Sequence, residues 1–247
     1  MIISASILNS DLCNIEETVK LLEENKIKAL HFDVMDGSFV DNISFGIPVL
    51  ESIRRITDMF IDVHLMINNP KKHIEKFVNA GADLITFHLE AVDSPEEAEE
   101  IIEKIHSYDK KAGVAINPST DAFNILRFSD IADLLLVMSV EPGLGGQKFM
   151  EESLPKLGLI KSFCNLMGYS VDIQVDGGIN DKTAELAIDA GANNLVSGSY
   201  LINFLKNLDW EELILKISTR NSTISGVPTF PDNIIKNIIF RGLFYQK

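Results

Sequence analysis

Short β-rich runs recur along the chain near residues 2–8, 28–34, 60–66, 83–88, 112–117, 133–139, 171–176 and 194–198. Between them the apolar positions take up helical spacing. From Asn14 to Glu24, Ile15, Val19 and Leu22 alternate with acidic residues, and Asp11 or Asn14 offers a cap. Ser94-Pro95-Glu96-Glu97 reads as a helix start, with an N-cap serine, proline at the first helical position and acids in the first turn. Gly81-Ala82-Asp83 and Gly191-Ala192-Asn193 repeat one helix exit, a glycine followed by a strand. Strands alternating with amphipathic helices predict a parallel sheet. Eight such units predict an α/β fold closed into a (β/α)8 TIM barrel.

The rival is a doubly wound open sheet, which needs a glycine-rich phosphate loop after its first strand. Here that place reads Asn9-Ser10-Asp11-Leu12. The glycine clusters come late, after the sixth, seventh and eighth strands, and barrels often build phosphate pockets after strands seven and eight. The barrel is expected to occupy residues 1–218. Ser218 to Thr223 reads as a polar linker, and the apolar residues Ile234, Ile235, Ile238, Ile239, Phe240, Leu243 and Phe244 predict a short tail helix within 219–247. That tail would pack on the barrel or on a neighbouring subunit.

Composition narrows the class without choosing the chemistry. A chain of 247 residues, 46% of them hydrophobic, suits one barrel of roughly 250 residues. The formal net charge of −14 argues against nucleic-acid or membrane-surface binding, which call for basic patches. It leaves a phosphorylated metabolite open, because backbone amides hold phosphate locally. Cys13 and Cys164 lie far apart and outside any C-x-x-C motif, so reduced thiols are expected. No basic leader precedes the first strand, and no apolar run approaches the ~18 residues of a membrane span. A cytoplasmic protein is expected.

The chemistry gathers at the strand ends. His31 and Asp33 lie two apart in one strand and project to the same side. His64 and Asp176 come from the ends of two other strands. In a barrel these four could face one centre, offering two imidazoles and two carboxylates to a divalent ion: Zn, Fe(II), Mn or Co. Such an ion stabilises an enediolate formed beside a ketone. Asp33 and Asp176 could then remove a proton on one face and return one on the other, which is epimerisation. Met35 and Met66 each stand two residues beyond a proposed ligand, and with Met138 they could floor the pocket or fill core.

Three glycine clusters suit an anion. Glu141-Pro142-Gly143-Leu144-Gly145-Gly146-Gln147-Lys148 follows the sixth strand, Asp176-Gly177-Gly178-Ile179-Asn180 the seventh, and Ser197-Gly198-Ser199-Tyr200 the eighth. Glycines let backbone N–H groups approach a phosphate, and helix N-termini favour its charge.

Together these segments resemble the ribulose-phosphate 3-epimerase family. The resemblance rests on Ser4 to Leu8, His31 to Val40, Asp62 to Met66, Asn117 to Thr120, Val137 to Gly143, Gly145 to Gln147, Asp176 to Ile179, and Gly198-Ser199, in order along nearly the whole barrel. It implies interconversion of D-ribulose 5-phosphate and D-xylulose 5-phosphate through a cis-enediolate. It implies Asp33 and Asp176 as the acid/base pair, and His31, Asp33, His64 and Asp176 as ligands of one metal. Ser6 and His64 would touch the sugar, Gly143, Leu144, Gly145 and Gly146 would close over it, and Gly177, Gly178, Gly198 and Ser199 would bind phosphate. The family is usually oligomeric, which implies a homo-oligomer here.

Four positions depart from the family's usual pattern: Ser38, Asp41, Ile47 and Leu144, on the second and sixth βα loops. They leave a six-carbon ketose phosphate, such as allulose 6-phosphate, as an alternative substrate. A phosphate barrel of the decarboxylase type would carry Asp-x-Lys where this chain reads Asp62-Val63-His64. A sugar-phosphate-binding barrel without catalysis would be expected to lack one acid/base residue, and both are present.

Overall fold

In the computed structural model, residues 1–207 are described. The expected boundary at 218 and the tail helix within 219–247 fall outside them. Eight strands form a closed barrel in which each pairs in parallel with its sequence neighbours and the last closes on the first. They are β1 (Ile2–Ser6), β2 (Ala29–Met35), β3 (Phe60–Met66), β4 (Leu84–His88), β5 (Lys111–Ile116), β6 (Leu134–Met138), β7 (Asp172–Asp176) and β8 (Asn194–Ser197). Eight helices follow them in turn: α1 (Ile15–Glu24), α2 (Ile47–Arg54), α3 (Ile74–Asn79), α4 (Pro95–His106), α5 (Phe123–Leu126), α6 (Leu154–Met167), α7 (Asp181–Asp189) and α8 (Ser199–Lys206). The expected (β/α)8 architecture is the observed one.

Local signals act largely as the residues dictate. Ser94 caps α4 by accepting from the Glu97 N–H, with Pro95 in the first turn. Gly81 and Gly191 follow α3 and α7 at φ +107° and +114°, where a side chain would clash with its own backbone. At α1 the cap differs from expectation. Asp11 accepts from the Cys13 N–H and starts a short 3-10 turn over Leu12–Asn14, while Asn14 makes no side-chain cap bond.

The main core lies between the barrel wall and the helices, around Phe32, Phe87, Leu30, Ile61 and Leu65. The barrel's inside is divided. On the β4–β6 side Leu84, Ala115, Leu134, Leu136 and Met138 form a small apolar cluster. From β2, β3 and β7 come His31, Asp33, Asp62, His64 and Gln174, all buried. Burying so many polar groups is unfavourable unless each finds a partner, so this half of the interior is where function concentrates.

Candidate metal centre and active site

Strand register brings the four proposed ligands together. Asp33 stands beside His64 in the β2–β3 ladder, and Asp176 ends β7 on another side of the barrel. His31 Nε2 and His64 Nδ1 approach to 3.3 Å. Asp33 Oδ1 lies 3.3 Å from the first and 3.2 Å from the second. Asp176 Oδ2 lies 3.7 and 3.8 Å from the same two nitrogens. Ligand atoms of the four residues all fall within 4.8 Å of one another. Tetrahedral donors held ~2.0–2.2 Å from one ion are about 3.3–3.6 Å apart, so the spacing fits a small divalent cation. Nitrogen and carboxylate oxygen, without thiolate, are a donor set for a borderline or hard ion.

Strand ends are only part of what places these groups. His31 sits mid-strand because β2 runs on to Met35. Its inward direction brings it to the cluster, one layer below Asp33.

Electrostatics separates the two acids. Burial pushes the Asp33 carboxyl up, but His31 and His64 beside it outweigh burial and hold it well below the usual carboxylate range. Burial and the neighbouring Asp33 charge push Asp176 up to about 7. Ser6 Oγ donates to Asp33 Oδ2 at 2.7 Å, leaving Oδ1 for the histidines. Two serines fix the backbone at the acids. Ser44 Oγ donates to the Asp33 carbonyl at 2.6 Å and accepts from Met35 N–H at 2.9 Å. Ser139 N–H donates to the Asp176 carbonyl at 2.7 Å, and its hydroxyl lies within 2.9 Å of the Asp176 and Gly177 carbonyls.

Above this centre the barrel mouth opens as a cavity of about 220 Å³. Asp33, Asp176, Ser6, Met35, Met66, Met138, Gly143, Leu144, Gly145, Gly146, Gly177, Gly178, Gly198 and Ser199 line it, as do Asn9, Asn180 and Tyr200, which sequence reasoning missed. His31 and His64 do not line it; both are fully buried beneath. His64 therefore presents a nitrogen to the ligand cluster and no surface to the cavity. Met35 and Met66 pack together with Val40, while Met138 belongs to the interior apolar cluster.

The glycine loop after β6 is closed by side chains. Gln147 Nε2 donates to the carbonyls of Glu141 and Leu144, at 2.6 and 2.8 Å. Asn42 Nδ2 donates to Gly143 O at 3.0 Å, tying this loop to the one after β2. Leu144 and Lys148 are exposed, and Lys148 is not among the residues that line the cavity.

At Gly178, φ is +65° and an added Cβ would meet Phe149 N at 2.4 Å and Phe149 Cα at 2.8 Å. The obstruction is backbone, so nothing flexible can yield. Gly178→Ala is expected to cost roughly 1–3 kcal/mol, from left-handed strain alone or more with the clash. Denaturant unfolding measures it, and an unchanged midpoint would contradict this packing.

Asp62, Gln174, His88 and Glu90 were also missed. Asp62 Oδ2 accepts from His31 Nδ1 at 2.9 Å and from Gln174 Nε2 at 2.7 Å. His64 Nε2 meets His88 Nε2 at 2.8 Å, and His88 Nδ1 meets Glu90 Oε2 at 3.2 Å. Each proposed ligand histidine is thus backed by a chain ending in a carboxylate.

Similarity to known proteins agrees with this geometry. Solved structures of tryptophan synthase α-subunit variants from Pyrococcus furiosus superpose with a TM-score of 0.60, cover 87% of this chain and 93% of theirs, and share 16% identity. At that identity they speak for the fold alone. Curated ribulose-phosphate 3-epimerases stand nearer. That of Bacillus subtilis is 42% identical over 198 residues, 80% of this chain and 90% of its own length. That of Synechocystis is 39% identical over 203 residues, 82% and 88% of the two chains. The chloroplastic ribulose-5-phosphate-3-epimerase of Arabidopsis thaliana is 41% identical over 199 residues, 81% of this chain and 70% of its own length. The model of the ribulose-phosphate 3 epimerase family matches residues 2–202. That span holds the four clustered ligand groups and every glycine lining the cavity, and the chain belongs to the ribulose-phosphate 3-epimerase family.

Proposed function

We propose that this chain interconverts D-ribulose 5-phosphate and D-xylulose 5-phosphate by moving the proton at C3, with Asp33 and Asp176 as the two acid/base groups. One observation carries the reading: both carboxylates line the cavity while reaching the same pair of buried imidazole nitrogens. A substrate carbon above that pair has an acid within reach from β2 and another from β7.

One carboxylate takes the C3 proton, and the electron pair left behind delocalises into the C2 carbonyl as a cis-enediolate. The other delivers a proton to the opposite face of C3, which inverts it. In the reverse direction the roles exchange. Ser6, hydrogen-bonded to Asp33 Oδ2, orients that carboxylate and can meet a sugar hydroxyl. His31, Asp33, His64 and Asp176 would hold one divalent ion, Zn, Fe(II), Mn or Co, whose Lewis acidity stabilises negative charge on the substrate oxygens. The thioethers of Met35, Met66 and Met138 floor the cavity and keep water from the enediolate.

Gly177, Gly178, Gly198 and Ser199 would take the phosphate. Ser199 opens α8 and Gly198 is its N-cap, so backbone N–H groups and the helix dipole both favour an anion there. The Gly143–Gly146 loop would cover the sugar. The net charge of −14 gives a phosphate no overall attraction to the protein, so its capture would rest on these local backbone groups.

The test is NMR of D-ribulose 5-phosphate with metal-loaded protein in D2O. Xylulose 5-phosphate carrying deuterium at C3, with little label in remaining substrate early on, is the expected result. Product retaining the substrate's own hydrogen would remove the two-group mechanism. Turnover of allulose 6-phosphate but not of the pentulose would shift the substrate to six carbons.

A further inference from the structure

The two imidazoles at the centre of the cluster can serve a cation only in one protonation arrangement each. His31 must keep Nε2 bare and carry its proton on Nδ1. His64 must keep Nδ1 bare and carry its proton on Nε2. In both rings the far nitrogen is already engaged, and by different devices.

His31 Nδ1 donates directly to Asp62 Oδ2 at 2.9 Å. Asp62 neighbours His31 in the β2–β3 register, and its oxygen is held from across the barrel by Gln174 Nε2. The other oxygen, Asp62 Oδ1, is fully buried with no hydrogen-bond partner among the described residues. A half-satisfied buried carboxylate costs free energy. That cost points to a task that a neutral acceptor would do less well.

His64 Nε2 lies 2.8 Å from His88 Nε2. Two ring nitrogens at that distance share one proton, so His88 accepts there and carries its own proton on Nδ1. His88 Nδ1 then donates to Glu90 Oε2. Glu90 Oε1 accepts from the Asn117 N–H at 2.8 Å and from the Thr120 hydroxyl. The direction of every bond follows from Glu90 being an acceptor on both oxygens.

We propose that Asp62 and the His88–Glu90 pair are positioning residues that lock the tautomers of His31 and His64 and thereby set the affinity of this site for a divalent cation. The proposal rests on the reading of these four residues as a metal site. It assigns unequal support to the two rings, since His31 leans on a charge directly and His64 through a neutral imidazole.

Glu90→Gln tests the longer relay two hydrogen bonds from the cluster. The amide oxygen must take the Oε1 place, where the Asn117 N–H can only donate, so the NH2 group faces His88 Nδ1. His88 then carries its proton on Nε2, head-on to the proton of His64. Either that contact breaks or His64 moves its proton to Nδ1, the atom that faces the cluster. Asp62→Asn tests the shorter arm by removing charge while keeping an acceptor.

The experiment is competition for Co(II) and Zn(II) between a chromogenic chelator and the full-length protein, with circular dichroism confirming the fold. Both variants are expected to bind 10- to 100-fold more weakly than the unaltered chain. Thr120→Val, which loosens Glu90 without altering its Oε2, is expected to bind as the unaltered chain does. Undiminished affinity in either folded variant overturns the role of that residue, and a loss in Thr120→Val equal to that in Glu90→Gln reduces Glu90 to structural support. Should Glu90→Gln not fold, Asp62→Asn decides the principle alone. If the unaltered chain takes up no cation, the metal reading itself fails, and the proposal with it.

Discussion

Asp176→Asn is expected to lower kcat by roughly 10²- to 10⁴-fold, the scale on which a positioned acid/base group acts, while the barrel stays folded. Asp33→Asn should fall as far. The two acids reach the site from strands on different sides of the barrel and serve opposite faces of the substrate carbon, so neither can carry out the other's proton transfer. In the amide neither nitrogen nor oxygen takes up a carbon-bound proton at neutral pH. Fold is spared because each change is nearly isosteric and the surrounding backbone is held by Ser44 and Ser139 rather than by the carboxylates. Steady-state assay with ribulose 5-phosphate and a thermal unfolding curve check both halves. Near-normal turnover in either variant would remove that residue from the acid/base pair.

Stripping divalent ions with a chelator should abolish turnover reversibly. Lewis-acid stabilisation is worth several kcal/mol, so the rate should fall by roughly 10³-fold or more. Restoring activity with Zn(II), Fe(II), Mn(II) or Co(II) in turn would rank the ions. Imidazole nitrogens and carboxylate oxygens of the cluster lie 3.2–3.8 Å apart, so a divalent ion held there would also offset the repulsion between the Asp33 and Asp176 carboxylates. A chelated enzyme that keeps full activity would mean that His31 and His64 balance the acids unaided.

The pattern of strands and helices was legible because it is local. The observed strands begin and end within one residue of the expected positions, apart from β1, which stops two residues early at Ser6. The four clustered residues were legible through two rules, inward projection at every second residue and the catalytic use of one barrel end. The same first rule could have found Asp62 and Gln174, which stand two residues before His64 and Asp176 and share their inward faces. His88 and Glu90 bear the same two-residue relation to one another. They passed unremarked because a lone polar residue in an apolar strand has no visible partner. Gln174 meets Asp62 across 112 positions of sequence, and nothing local announces that.

By itself the sequence determined the order and number of the βα units, the side of each strand that bears the clustered His and Asp residues, and the glycines at the barrel mouth. Only the tertiary structure decided that β2, β3 and β7 bring their groups within 4.8 Å of a common set, that His31 and His64 lie under the cavity and outside its lining, and that each has a carboxylate behind it. The reason is closure. Period and propensity act over a few residues, whereas the distance between strands facing each other across a barrel depends on strand number, tilt and stagger together, and so on the whole chain at once.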